Sequence, residues 1–172
     1  MNNKNRKNGF TMIEMIAALF VMSVGIMGIF SLVSQTISYI SITSSRLTAI
    51  YLSQEGMEII RNIRDSNFLK INKGEEGNWD DGLSNGEYYN FDYRSETIDD
   101  TTCDGKNYLE ISQGFYKCSA SGKFQRKAQI TKKPEENKIE VEIKVSWQER
   151  GRTHMVVARE NLYQWYKKEE VE

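Results

Sequence analysis

Proline is nearly absent: Pro134 is the only one in 172 residues. With the glycines scattered as well, a low-complexity or disordered chain is excluded. Histidine is as scarce. His154 alone cannot build a cysteine–histidine metal set, and neither a nucleophile–base signature nor a phosphate-binding glycine loop is present. His154 therefore reads as a packed or solvent-facing side chain, and the chain as a non-enzyme with no catalytic residues, no metal and no cofactor. The net charge is −1, so the broad basic field of a nucleic-acid binder is missing. There are two cysteines, Cys103 and Cys118. In the cytosol they would be free thiols; outside it they would pair, so compartment decides. No internal repeat appears, and the length suits one modest domain plus an anchor.

The most informative absence is of charge. From Met15 to Ser45 there is no charged residue. Met15–Val33 holds nineteen apolar or small residues, the length of a helix that crosses a bilayer. A helix satisfies its own backbone, as the hydrocarbon requires. Lys4, Arg6 and Lys7 precede it, which places this end in the cytoplasm and everything after about residue 35 outside. A secretory signal would be shorter and would end in a small-residue cut site. A buried core helix would seldom go so long without charge. A plain anchor explains the length and the flanking charge, but not Glu14. A carboxylate at membrane depth costs about 2.5–3.5 kcal/mol, less near the interface, so Glu14 requires a partner there.

Lys7-Asn8-Gly9-Phe10-Thr11-Met12-Ile13-Glu14 resembles the cleavage signature of type IV prepilins and type II secretion pseudopilins. The resemblance implies a leader, residues 1–9, cut by a membrane prepilin peptidase between Gly9 and Phe10. It implies methylation of the new terminus at Phe10, and a role for Glu14 in subunit assembly. The partners it implies are that peptidase, other pilin or pseudopilin subunits, and an inner-membrane assembly platform. The resulting localisation is the inner membrane first, then a pilus or pseudopilus fibre. With an exported C-terminal region, a Cys103–Cys118 disulfide becomes the expectation.

Beyond the apolar run, Leu52, Gly56, Ile59, Ile60 and Ile63 share one helical stripe, with Glu55, Glu58, Arg61, Asn62 and Asp65 opposite. Arg61 and Asp65 are spaced to pair. No proline interrupts Phe10–Asn67; as a helix those residues would run about 87 Å at 1.5 Å each. Gly25 and Gly28 mark either close helix contact or local loosening. Strands are expected at Lys138–Gln148, Arg152–Arg159 and Phe124–Thr131, with a weaker one at Glu87–Tyr93 and two short ones within Leu109–Tyr116. Asn161–Lys167 reads as a terminal strand or a helical turn.

The expected fold is α+β: a long N-terminal helix, membrane-spanning in its first half, packed on a small antiparallel sheet. The divisions are 1–9 leader, 10–35 membrane and assembly helix, 36–68 amphipathic continuation, and 69–172 extracytoplasmic region. Leu52-Ser53-Gln54-Glu55-Gly56, Arg61–Asp65, Trp147, Gly151 and Leu162–Trp165 resemble minor pilins of the type IV pilus modification kind. A secretion pseudopilin and a single-pass receptor are the rival readings. Asp99, Asp100 and Asp104 do not have the spacing of a defined calcium loop. Trp79, Tyr88, Tyr89 and Tyr93 are expected in the core rather than on an adhesive surface.

Overall fold

The structure, a computed structural model, describes residues 9–89, 91–98, 103 and 105–165. One helix, α1 (Met12–Asn72), precedes six strands: β1 (Gly86–Tyr89), β2 (Tyr108–Ser112), β3 (Phe115–Ser119), β4 (Phe124–Lys133), β5 (Lys138–Glu149) and β6 (Arg152–Tyr163). The architecture is α+β, as expected. The chain divides into two compact units, Met1–Thr43 and Ser44–Glu172.

In the first unit α1 runs through Gly25 and Gly28 without interruption. Apart from the helix's own backbone and the adjoining residues, no described atom lies within 4 Å of where a side chain at either glycine would begin. Residues 9–37 are all exposed, and α1 is long and apolar enough to cross a membrane. Three of its hydroxyls bond back to the helix itself. Ser23, Thr36 and Ser38 donate to the carbonyls of Phe20, Leu32 and Ser34, which hides polar groups that a bilayer would penalise.

The second unit is built on a sheet of order β3-β2-β4-β5-β6, with β1 also on β4, antiparallel at every pairing. Alternation decides which face is covered. On β5, Ile139, Val141, Ile143, Val145 and Trp147 are buried, with Glu140, Glu142, Lys144 and Ser146 between them. They form one core with Ala49, Leu52, Met57, Ile60 and Ile63 of α1. Each large aliphatic side chain fully buried this way contributes about 1.5–3 kcal/mol. His154 packs here too, its ring stacked 5.3 Å from Trp147. Arg150 and Gly151 both have positive φ, as the tight β5–β6 turn requires.

Several expected boundaries move. α1 ends at Asn72 rather than Asn67, and Phe68 stays buried, in contact with the rings of Trp79 and Trp165. β6 continues to Tyr163, so Asn161 onward begins as strand; residues 166–167 lie outside the described residues. β1 stops at Tyr89, short of Tyr93. Phe91 leaves the strand to enter the core. The Arg61–Asp65 pair is not formed. Arg61 instead holds Glu58 and, across the fold, Glu160, while Asp65 pairs with Arg64. A planar fork with two carboxylates in reach makes more bonds than one helical neighbour offers.

At the centre of the unit sits Arg126, on the core face of β4, its side chain fully buried. Nη1 donates to the Leu52 carbonyl of α1 and Nη2 to the Phe91 carbonyl. The guanidinium lies 4.8 Å above the Phe91 ring and 3.5 Å from Glu55. Burial pushes its pKa down, while Glu55 and Asp92 push it back up; arginine stays charged at any ordinary pH. Gly56 admits this side chain. A Cβ there would lie 3.0 Å from Arg126 Cδ and 3.3 Å from the Phe91 ring. Gly56→Val is therefore expected to destabilise the second unit by about 1–3 kcal/mol through overpacking. A thermal melt of the variant unchanged from wild type would contradict this packing.

Cys103 and Cys118 form a disulfide, Cα–Cα 5.4 Å, closing a loop of sequence separation 15. Constraining the unfolded chain over such a loop stabilises by about 3 kcal/mol. Beside it the buried Asp92 carboxylate accepts from the Cys118 and Arg94 amides and from the Arg94 guanidinium. Burial pushes its pKa up, but these donors outweigh burial and hold it below the ordinary value. Thiol labelling of denatured, unreduced protein from the native compartment is expected to find no free thiol; two reactive thiols would contradict the pairing.

Candidate cleavage and assembly site

Gly9 and Phe10 lie before the helix, exposed and outside any regular element. Nothing approaches within 4 Å of the Cβ that Gly9 lacks, and its φ is not in the left-handed region. Nothing among the described residues requires glycine there. Phe10 is 84% exposed, with no core to receive it. Lys4, Arg6 and Lys7 fall outside the described residues.

Thr11 and Glu14 fix where the helix begins. The Thr11 carbonyl accepts from the amides of Glu14 and Met15, which opens the helical ladder. Thr11 Oγ1 accepts from the Glu14 amide at 3.4 Å. In return Glu14 Oε2 accepts from the Thr11 amide at 3.3 Å and from Thr11 Oγ1 at 3.2 Å. This is a capping box, satisfying reciprocally the amides that a helix start leaves orphaned. It also stops the helix short of the Gly9–Phe10 bond, which stays in non-helical backbone. The Thr-x-x-Glu spacing before an apolar run was the available sequence signal for this pair; reading Glu14 only as an intermolecular group misses it.

The structure thus brings Gly9, Phe10, Thr11 and Glu14 into one short segment at the head of an exposed apolar helix. In the second unit, Asp92, Cys103 and Cys118 place three ligand-type atoms within 4.8 Å of one another. The sulfurs are bonded to each other and Asp92 is engaged by Arg94 and two amides, so they offer no free donor set. Asp99, Asp100 and Asp104 lie outside the described residues, as do the side chains of Tyr88 and Tyr89. Trp79 is half-buried on Phe68, but Tyr93, expected in the core, is exposed and leans on the exposed Phe115. A groove of about 610 Å³ runs between α1 and residues 93–96, floored by Ile59 and Ile63. Of its rim charges, Glu55, Glu58 and Arg94 already pair within the chain.

Among known proteins, one family model, described as the prokaryotic N-terminal methylation motif, matches residues 4–30. No curated protein and no solved structure matches the chain. The matched span contains the basic flank, Gly9, Phe10, Glu14 and most of the uncharged helix. The chain carries at its N-terminus the prokaryotic methylation motif, consistent with the type IV prepilin and pseudopilin family.

Proposed function

We propose that this protein is a minor pilin-like structural subunit, cut by prepilin peptidase between Gly9 and Phe10 and assembled through α1 into a type IV pilus. The observation that carries this reading is the register at the N-terminus. Glycine and phenylalanine stand just before α1, a glutamate follows four residues on in its first turn, and beyond it the helix is uncharged to Ser45, with every residue to position 37 exposed. An apolar surface of that size is not left to water. Lipid covers it first, and other helices cover it in the fibre.

The cut changes the electrostatics. Removing residues 1–9 removes Lys4, Arg6 and Lys7, the charges that hold this end at the cytoplasmic face. Among the described residues nothing packs where a Gly9 side chain would be. The demand for glycine comes from a peptidase cleft too narrow for a side chain. Cleavage also creates an amine at Phe10, the site of N-methylation. In the fibre, the Glu14 carboxylate meets the Phe10 amine of a neighbouring subunit. A buried unpaired charge is strongly unfavourable, and a hydrogen-bonded pair offsets much of that cost. The pair sets subunit register while helix packing supplies most of the stability.

The second unit remains outside the membrane, where its disulfide persists. The second-half motifs at Leu52–Gly56, Arg61–Asp65 and Trp147–Trp165 favour a minor pilin of the pilus-modification kind. A type II secretion pseudopilin would use the same cut and the same carboxylate. A single-pass receptor would use neither.

Glu14→Ala makes the helix more apolar and leaves Gly9 and Phe10 intact, so the variant is expected to insert and to be cut. It is expected to be depleted from sheared fibres relative to the membrane fraction. Incorporation equal to wild type would contradict a pairing role for Glu14.

A further inference from the structure

The capping box is more than a helix start, because of which oxygen it uses. The three side-chain bonds between Thr11 and Glu14 run through Glu14 Oε2, Thr11 Oγ1 and the two amides. Oε1 has no hydrogen-bond partner among the described residues. From Phe10 to Met22, Thr11 and Glu14 are the only residues with polar side chains, so no other side chain of that stretch can orient the carboxylate. A free glutamate has three rotatable bonds, and holding one rotamer costs side-chain entropy of up to about 2 kcal/mol. A carboxylate already held by one oxygen has met part of that cost before a partner arrives. The box also survives the cut: the Thr11 amide follows the Phe10 carbonyl, so cleavage after Gly9 leaves every bonded atom in place.

We propose that Thr11 is a positioning residue for assembly, holding Glu14 by Oε2 so that Oε1 is presented to the Phe10 amine of the next subunit. This rests on the assembly role of Glu14 proposed above. The bonds to Oε2 are 3.2–3.3 Å, longer than the usual charge-assisted bond. They aim the carboxylate without saturating it, and the incoming cationic amine forms the stronger contact. In the membrane-resident subunit the same two donors lessen the penalty of a carboxylate at the edge of the apolar run.

A simple capping role and a positioning role make different demands on the same substitutions. Thr11→Val keeps the β-branched shape and removes the hydroxyl; Thr11→Ser restores it. Each is made in the full-length chain, alone and with Glu14→Ala, and the share of cut subunit found in sheared fibres is measured against the membrane fraction. For Thr11→Val a loss of about fivefold is expected, the equivalent of one capping interaction, with Thr11→Ser near wild type. In the Glu14→Ala background, Thr11→Val is expected to add no further loss. Further loss in that background would make Thr11 a helix cap only, since its hydroxyl still accepts from the amide at position 14 there. Wild-type incorporation of Thr11→Val while Glu14→Ala is depleted would overturn the positioning role and leave the assembly role of Glu14 standing. Wild-type incorporation of Glu14→Ala itself would overturn both.

Discussion

One carboxylate in an otherwise uncharged stretch constrains the first unit. Between Lys7 and Arg46 only Glu14 carries charge. A membrane helix tolerates an isolated acid poorly, and near the interface it tolerates one that has donors. Thr11 supplies two within the chain, and on the proposed reading a neighbour's amine supplies the stronger one. Everything else about this helix follows from having no charge. Its exposed apolar surface needs a covering, three of its hydroxyls bond back to its own carbonyls, and no core within its own unit receives it.

The second unit depends on a different buried charge. Arg126 ties three separate pieces together: the strand it belongs to, the helix through the Leu52 carbonyl, and the segment after β1 through the Phe91 carbonyl. Breaking one side of such an arrangement is costly, because an uncompensated buried cation remains. Asp92 continues the chain of bonds from that segment to the Cys118 amide and so to the disulfide. Residues 91–95 have little regular structure, yet Phe91, Asp92 and Ser95 are buried. Polar bonds rather than a β ladder hold them.

The sequence was legible where one period or one spacing dominated. The uncharged run made the long apolar helix plain, and strict alternation made β5 plain to within a residue. The Gly9–Phe10–Glu14 register stood out because several residue types had to coincide. What was hidden has physical causes. Arg126 shares a strand face with Phe124 and Ala128, and nothing local marks an arginine as a core residue; only the carbonyls of distant segments make it welcome there. Arg61 suggested a local pair with Asp65, whereas its stronger partner Glu160 lies far along the chain. The capping box was visible as Thr-x-x-Glu but was obscured by the larger role assigned to Glu14.

The central claim is a single cut, and the mass of the mature chain tests it most directly. Intact-mass analysis is made of the full chain produced in cells with and without a prepilin peptidase. With the peptidase, the account expects a product lighter by about 1 kDa, as removal of nine of the 172 residues of a 20.0 kDa chain requires. It expects Phe10 as the first residue, carrying a methyl group. Without the peptidase, the chain keeps its leader. A chain of the same full length in both strains, or one cut at any other bond, would contradict the account.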